Sequence, residues 1–283
     1  MIVVTGATGN IGRSLVRQLL AEGASVRALS RKPERAGLPA AAESVRADLT
    51  DPASLEPALR GAGSLYLNLA AGGEAAGQVI DAAVRAGVRR IVLNSSLAVT
   101  GTPADNENFI ARMHAAAEQA VRASGLEWTF VRGGMYATNA LQWAEDIKAD
   151  GVVRGPHPEA VAAPVHEDDL AAVAARALLD RGGDLLGKAP YVTGPQAVTV
   201  AGQVAGIGRA IGRGIRFETV SPEAAAEALS ATGFPKEAAA QLIDYFGASV
   251  GTDPLITDEV GRITGRPART FEEWARDHAD DFR

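Results

Sequence analysis

In the first half of the chain, short apolar runs alternate with stretches whose apolar positions recur at helical spacing. Residues 2–5, 25–29, 44–47, 64–69, 90–94 and 127–132 are short and apolar, and they predict strands. Between them, residues 11–22, 52–59, 74–86 and 108–123 predict helices. Glycines or small polar residues mark the junctions, as at Gly23, Gly61, Gly63, Gly87 and Gly125. This alternation predicts an α/β fold in which a parallel sheet is covered by helices on both faces.

After Arg132 the rhythm changes. Gly133 and Gly134 break the pattern, a helix is predicted over 136–147, and 155–164 reads as irregular. Further helices are predicted over 167–179, 200–211, 222–231 and 236–246, with strands near 191–193 and 215–220. No linker is long enough to separate an independent domain, and no repeat is visible. Residues 1–283 therefore read as one domain, with a smaller lobe drawn mainly from 133–165 and 190–270 at the sheet's carboxyl edge, where open α/β folds place their ligands.

Composition narrows the function classes. A formal net charge of -6 disfavours nucleic acid as the main partner, because phosphate binding wants a basic surface. The absence of cysteine excludes disulfides, thiolate metal sites and a cysteine nucleophile. Met1 leads directly into Ile2, Val3 and Val4 without a basic leader, and no apolar run has membrane length. The expectation is a soluble cytoplasmic protein acting on a small molecule, with its oligomeric state open.

The densest chemical signal lies just after the first predicted strand. Thr5-Gly6-Ala7-Thr8-Gly9-Asn10-Ile11-Gly12 has the spacing G-x-x-G-x-x-G between a strand and a helix. Glycines there allow a tight turn, close approach to a pyrophosphate and close helix packing, while the helix N-terminus favours the phosphate charge. This predicts a Rossmann-type, doubly wound fold that binds a nicotinamide dinucleotide through Gly6, Thr8, Gly9, Asn10, Ile11 and Gly12. The second strand ends Leu29-Ser30-Arg31-Lys32 without the acidic residue that would bind a ribose 2′-hydroxyl. Arg31, with Arg13 assisting, suits a 2′-phosphate, so NADPH is the expected cofactor and NADH the second option. Gly206, Gly208 and Gly212 follow no strand and read as packing or a helix end.

With these residues in view, the sequence resembles the atypical short-chain dehydrogenases of the NmrA-like group, which includes quinone reductases, triphenylmethane reductases and isoflavone reductase relatives. The resemblance rests on the Thr5–Gly12 turn, on Ala47-Asp48-Leu49, and on His114-Ala115-Ala116-Ala117-Glu118 followed by the stretch from Gly125 to Arg132. Gly134-Met135-Tyr136 with Asn139 resembles the quinone-reductase branch, and the likeness extends to the terminal Thr270–Trp274. It implies that Asp48 and Leu49 lie against the adenine. It places Leu69, Ala70 and Ala71 along the dinucleotide, and Asn94, Ser95 and Ser96 beside the nicotinamide.

The chain departs from the family at the catalytic pair. Ordinary short-chain dehydrogenases use Tyr-x-x-x-Lys, and extended members keep that lysine four residues before a glutamate. Counting back from Glu118 puts His114 at the lysine position and Ile110 at the tyrosine position. His114 also matches the place where isoflavone reductase relatives hold a lysine, which implies a role at the nicotinamide ribose or in relaying a proton. A core histidine is the competing reading, since Phe109, Ile110 and Met113 share its helix. Candidate catalytic residues are therefore His114, Ser95 and Ser96.

Two functions remain open on the sequence. One is an NAD(P)H-dependent oxidoreductase passing hydride to a quinone, whose reduction yields a stabilised anion that water can protonate, or to a ketone on a planar aromatic or polycyclic substrate. The other is a non-catalytic NAD(P)-sensing regulator. Met135, Tyr136, Asn139 and Trp143, just past the sixth strand, favour the enzyme because they suit a flat aromatic substrate. Tyr136 and Trp143, seven apart, are expected on one helical face, lining either pocket or lobe core. His166-Glu167-Asp168-Asp169 precedes an alanine-rich helix and suits capping and dipole matching better than a metal. No G-x-S-x-G or Walker-type motif is present.

Overall fold

The structure, a computed structural model, describes residues 1–69 and 75–283. Its contacts divide the chain into two compact units. The first comprises 1–133, 167–192 and 259–266; the second comprises 134–166, 193–258 and 267–283.

The first unit is built on a seven-stranded parallel sheet. β1 (Ile2–Val4) and β4 (Ser64–Asn68) lie at its centre. β2 (Val26–Ser30) and β3 (Glu43–Arg46) extend one side, and β5 (Arg90–Ser96), β6 (Glu127–Gly133) and Tyr191–Val192 extend the other. The strand order reverses direction between β1 and β4, the crevice where doubly wound sheets bind ligands. Helices α1 (Asn10–Ala21), α2 (Pro52–Leu59), α3 (Ala76–Arg85) and α4 (Phe109–Ala123) form the connections.

Side-chain alternation explains why the central strands β1, β4 and β5 carry unbroken apolar runs. Val3, Leu65, Leu67, Ile91, Leu93 and Phe130 share one buried cluster with Leu55 and Leu59 of α2, Val79 and Ile80 of α3, and Val121 of α4. Their neighbours Val4, Tyr66, Val92 and Val131 are just as buried and point to the opposite face. α1 packs there against helix Glu167–Leu179. The Ser14 hydroxyl donates to the Asp168 carboxylate, and Gln18 Nε2 donates to the Asp168 carbonyl at 2.9 Å. Asp168 thus anchors a neighbouring helix as well as placing negative charge in the first turn of its own.

The second unit is held by Trp274, Phe271 and Phe282, packed with Ile147, Val153, Val204 and Ile207. Two small sheets frame it. Val152–Gly155 pairs in parallel with Arg216–Thr219, and Val161–Ala162 pairs antiparallel with Val198–Thr199. The segment 155–164, expected to be irregular, therefore contains a strand, too short to leave a period-two signal. Set against the expected lobe boundaries, this unit omits 259–266 and takes in 267–283, which carries helix Phe271–Asp277 with its Thr270–Glu273 capping box.

The helix expected over 136–147 is also different. Ala137–Trp143 is 3-10 and only Ala144–Ala149 is α-helical. Tyr136 precedes this helix in an extended conformation, φ -82° and ψ 131°, so it and Trp143 are not two positions on one helical face. The glycines of the later cluster act as structure. A Cβ on Gly208 would stand 2.8 Å from the Arg213 carbonyl oxygen, Gly206 packs on the Phe271 ring, and Gly212 ends its helix at φ +68°. Among the described residues, no helix is long and apolar enough to cross a membrane.

Trp274 is fully buried at the centre of the second core. Trp274→Ala is expected to cost about 3–5 kcal/mol, seen as a lower urea midpoint for the transition that reports this unit; an unchanged midpoint would contradict that core.

Candidate functional site

The turn after β1 is fixed by contacts that leave little choice of residue. The Thr5 hydroxyl donates to the Tyr66 carbonyl at 3.1 Å and accepts from Asn68 N–H at 2.8 Å, tying the turn to β4. Gly6 sits at φ +61°, in the left-handed region that favours glycine. A Cβ on Gly12 would stand 2.1 Å from the Gly6 carbonyl oxygen, so α1 can pack this closely only with glycine there. Gly9 is different. A Cβ there would meet only that same oxygen, at 3.4 Å, so the turn itself makes no strong demand for glycine at this position.

Gly9 is also the N-cap of α1, without a side-chain cap, and the first turn carries no acidic residue. Asn10, Ile11 and Gly12 thus begin a helix whose N-terminal amides and positive dipole end suit an anion. Beside this end lies a cleft of about 250 Å³ lined by Gly6, Thr8, Gly9, Leu29, Ser30, Arg31, Ala47, Leu49 and Asn68. Leu29, Ala47 and Leu49 provide apolar walls for a flat ring, and the exposed Arg31 provides a cation at the rim. The residues present fit a dinucleotide: an anion cradle, a slot for a base, and a guanidinium for a further phosphate.

Other predicted residues take supporting places. Asp48 accepts from Thr50 N–H at 3.0 Å and from its hydroxyl at 2.7 Å. These bonds, with the Arg31 charge, hold its carboxyl below the usual range. Arg13 donates to the carbonyls of Thr8 at 2.9 Å and Gly37 at 3.1 Å, so two of its guanidinium nitrogens already brace the turn. Leu69 is buried in the sheet's core cluster, and Ala70 and Ala71 lie outside the described residues.

A second cluster stands where β5 and β6 end. Asn94 pairs in register with Asn68 on one side and Val131 on the other. Ser95 was expected beside the nicotinamide as a catalytic candidate. It is fully buried, and its hydroxyl donates to Glu118 at 2.7 Å. Ser96 is half-buried, and its hydroxyl accepts from Ala98 N–H at 3.1 Å.

His114 lies on α4 one turn before Glu118, with 9% of its surface exposed. Its Nδ1 is buried and has no hydrogen-bond partner among the described residues. Burial lowers its pKa to about 4 despite the opposing pull of Glu118. It is therefore a neutral imidazole at ordinary pH.

Met135, Tyr136, Asn139 and Trp143 belong to the second unit. The Met135 carbonyl accepts from Val165 N–H at 2.8 Å, and Tyr136 bridges to Val165. Asn139 is exposed, while Trp143 packs against the lobe's hydrophobic cluster. His166, buried in the same unit, faces the Asp277 carboxylate at 3.4 Å.

Sequence reasoning missed Asn68, Leu29 and Ser30 as cleft walls, and it used Glu118 only as a counting mark. Leu29 and Ser30 had a signal, since they end the second strand immediately before Arg31. Nothing in spacing links Glu118 to Arg132, whose guanidinium grips it at 2.7 and 2.8 Å.

Comparison with known proteins agrees with this geometry. A family model described as NAD(P)H-binding matches residues 6–181. The chain is 40% identical to the (4-alkanoyl-5-oxo-2,5-dihydrofuran-3-yl)methyl phosphate reductase of Streptomyces griseus, covering 100% of this chain and 99% of that one. It is 33% identical to NAD(P)H azoreductase of Xenophilus azovorans, with 100% and 99% covered. The solved structure of an NADPH-dependent quinone oxidoreductase from Escherichia coli, complexed with NADPH, matches with a TM-score of 0.79 at 27% identity, covering 98% of this chain and 99% of that one.

The buried imidazole makes stability pH-dependent. Its folded pKa of about 4 lies below the ordinary 6.5, so between these values the unfolded chain binds the proton and the folded one does not. The stabilisation is complete above about pH 6.5 and is lost as pH falls toward 4. Between pH 7.5 and 5, wild type is expected to lose about 2 kcal/mol more unfolding free energy than His114→Gln. Parallel denaturation curves for the two proteins would show that His114 is not buried neutral.

Proposed function

Because the chain belongs to the NAD(P)H-binding family, as an NmrA-like atypical short-chain dehydrogenase and an NAD(P)H-dependent oxidoreductase, we propose that it reduces quinone-type acceptors, electron-poor conjugated systems whose reduced form is a stabilised anion. The observation that carries this reading is the pair Ile110 and His114. Where a proton-donating tyrosine and its lysine would stand, the chain has an aliphatic side chain and a histidine held neutral by burial. A neutral imidazole is a weak acid, so an acceptor that must be protonated as it is reduced is poorly served.

The relatives' names point the same way. The dihydrofuranone of the Streptomyces griseus reductase carries two carbonyl groups on its ring double bond, and the other relatives act on azo and quinone systems. All are conjugated and electron-poor. Bound NAD(P)H supplies the hydride. The protein's part is to bind and orient: the α1 N-terminus and the Gly6–Gly12 turn take the pyrophosphate, Leu29, Ala47 and Leu49 take the adenine, and Arg31 takes a 2′-phosphate. His114, at the family's lysine position, is proposed to hold the nicotinamide ribose. Met135, Tyr136, Asn139 and Trp143 are proposed to shape the substrate lobe, with Tyr136 and Asn139 the contact candidates.

The first test follows NADPH oxidation against quinones and isolated aromatic ketones. Quinones are expected to be consumed at least about a hundredfold faster, the usual contribution of a positioned general acid that this site lacks. Equal rates on isolated ketones would mean that a proton donor exists, and NADPH binding without turnover on any acceptor would favour the sensing role. Separately, Arg31→Ala is expected to raise the KM for NADPH about tenfold while leaving that for NADH unchanged, since only NADPH carries the 2′-phosphate. Equal effects on both cofactors would remove Arg31 from that role.

A further inference from the structure

Glu118 is a carboxylate with no exposed surface, and it carries four hydrogen bonds. Arg132 grips both oxygens, Nε at 2.8 Å on one and Nη2 at 2.7 Å on the other. The Ser95 hydroxyl donates to the first oxygen at 2.7 Å, and Arg122 reaches the second at 3.2 Å. The remaining arm of Arg132 donates to the Tyr191 hydroxyl at 2.9 Å, which donates in turn to the Val99 carbonyl at 3.3 Å. Ser95, Arg132 and Tyr191 are register partners in adjacent parallel strands, so all three side chains leave the sheet on the face covered by α4.

Stability alone does not explain such a cluster, since well-packed apolar residues in place of a buried ion pair are often as stable or more so. A two-pronged guanidinium–carboxylate pair supplies orientation, because both planes and both distances are set at once. His114 stands one helical turn before Glu118 on the same side of α4, so the clamp ties the part of the helix that carries it to β5 and β6.

We infer that Glu118, clamped by Arg132, is a positioning residue that fixes His114 relative to the Ser95–Ser96 end of β5 and so holds the nicotinamide half of the bound cofactor. This rests on the reading of His114 as a ribose-side residue. The clamp lies at the ends of β5 and β6, whereas the adenine slot is walled from β2, the segment after β3, and β4. Loosening the clamp should therefore weaken one half of the dinucleotide and spare the other.

The test uses the full-length protein and calorimetric binding of two ligands, NADPH and adenosine 2′,5′-bisphosphate, which carries only the adenosine half. Glu118→Gln is expected to weaken NADPH about tenfold while the fragment stays within about twofold of wild type. Turnover under saturating NADPH is expected to fall about a hundredfold, as for a sub-ångström to ångström misplacement of a reacting group. Arg132→Met is expected to behave likewise, and Arg132→Lys to recover part of the loss. If Glu118→Gln fails to fold, Ser95→Ala decides by the same criterion, because it removes one hydrogen bond and leaves the ion pair intact.

Parallel weakening of both ligands would show general loosening and overturn the inference, as would no change in either. The outcome is separable from the proposed reaction. A split between NADPH and the fragment in a protein that reduces no quinone would keep the clamp and discard the reaction; quinone turnover with unaltered variants would do the reverse.

Discussion

The first unit depends on how closely α1 approaches the end of β1. At Gly12 the helix passes the Gly6 carbonyl with no room for a Cβ, and Gly6 itself takes a left-handed backbone conformation to permit the approach. Thr5 then ties the turn to β4 through two hydrogen bonds, so the turn, the helix axis and the central strand pair are set together. One consequence is an uncapped helix N-terminus held at the mouth of a cleft. Another is the seating of α1 on helix Glu167–Leu179, secured by Ser14 and Gln18 on Asp168. The sheet's apolar strands supply the driving force, but this steric contact decides where the anion cradle points.

Electrostatics at the other end of the sheet follow a different logic. Glu118 is buried and its charge is matched by Arg132, whose guanidinium the carboxylate holds even more firmly protonated than usual. That matching matters for His114. An unopposed carboxylate one turn away would favour the imidazolium, yet burial prevails and the ring stays neutral. A neutral ring beside a satisfied ion pair is poorly suited to delivering a proton, which links this cluster to the proposed acceptor class.

The fold was legible where period and punctuation agree. The six strands of the first half and the helices between them were readable because most of the strands carry short apolar runs and the junctions carry glycines or small polar residues. The glycine turn was readable for the same reason, Gly6 and Gly12 being steric requirements visible as spacing. Legibility failed where structure depends on pairing across the chain. Strands Val152–Gly155 and Val161–Ala162 are short and owe their existence to partners some 64 and 37 residues away. Ala137–Trp143 has helical composition but winds as 3-10, and Tyr136 stands extended before it. Ser95 resembled a strand-end catalytic serine; only the fold reveals that its hydroxyl belongs to Glu118. The Glu118–Arg132 pair joins a helix to a strand with no spacing rule between them.

Protonation energetics support the proposed acceptor class independently of likeness. When hydride reaches an isolated ketone, the product is an alkoxide, far more basic than water tolerates at neutral pH, and its formation must be coupled to a proton donor. When the acceptor is a quinone, or a ring double bond bearing two carbonyls, the negative charge spreads over conjugated oxygens and protonation can follow from solvent. On the proposed reading, Ile110 and a neutral His114 at the tyrosine and lysine positions suit the second reaction better than the first. Diversity among relatives then has a simple cause. If the protein contributes binding and orientation rather than a tailored acid, changing the substrate lobe changes the acceptor without rebuilding the chemistry, and dihydrofuranone, azo and quinone reductases can share one frame.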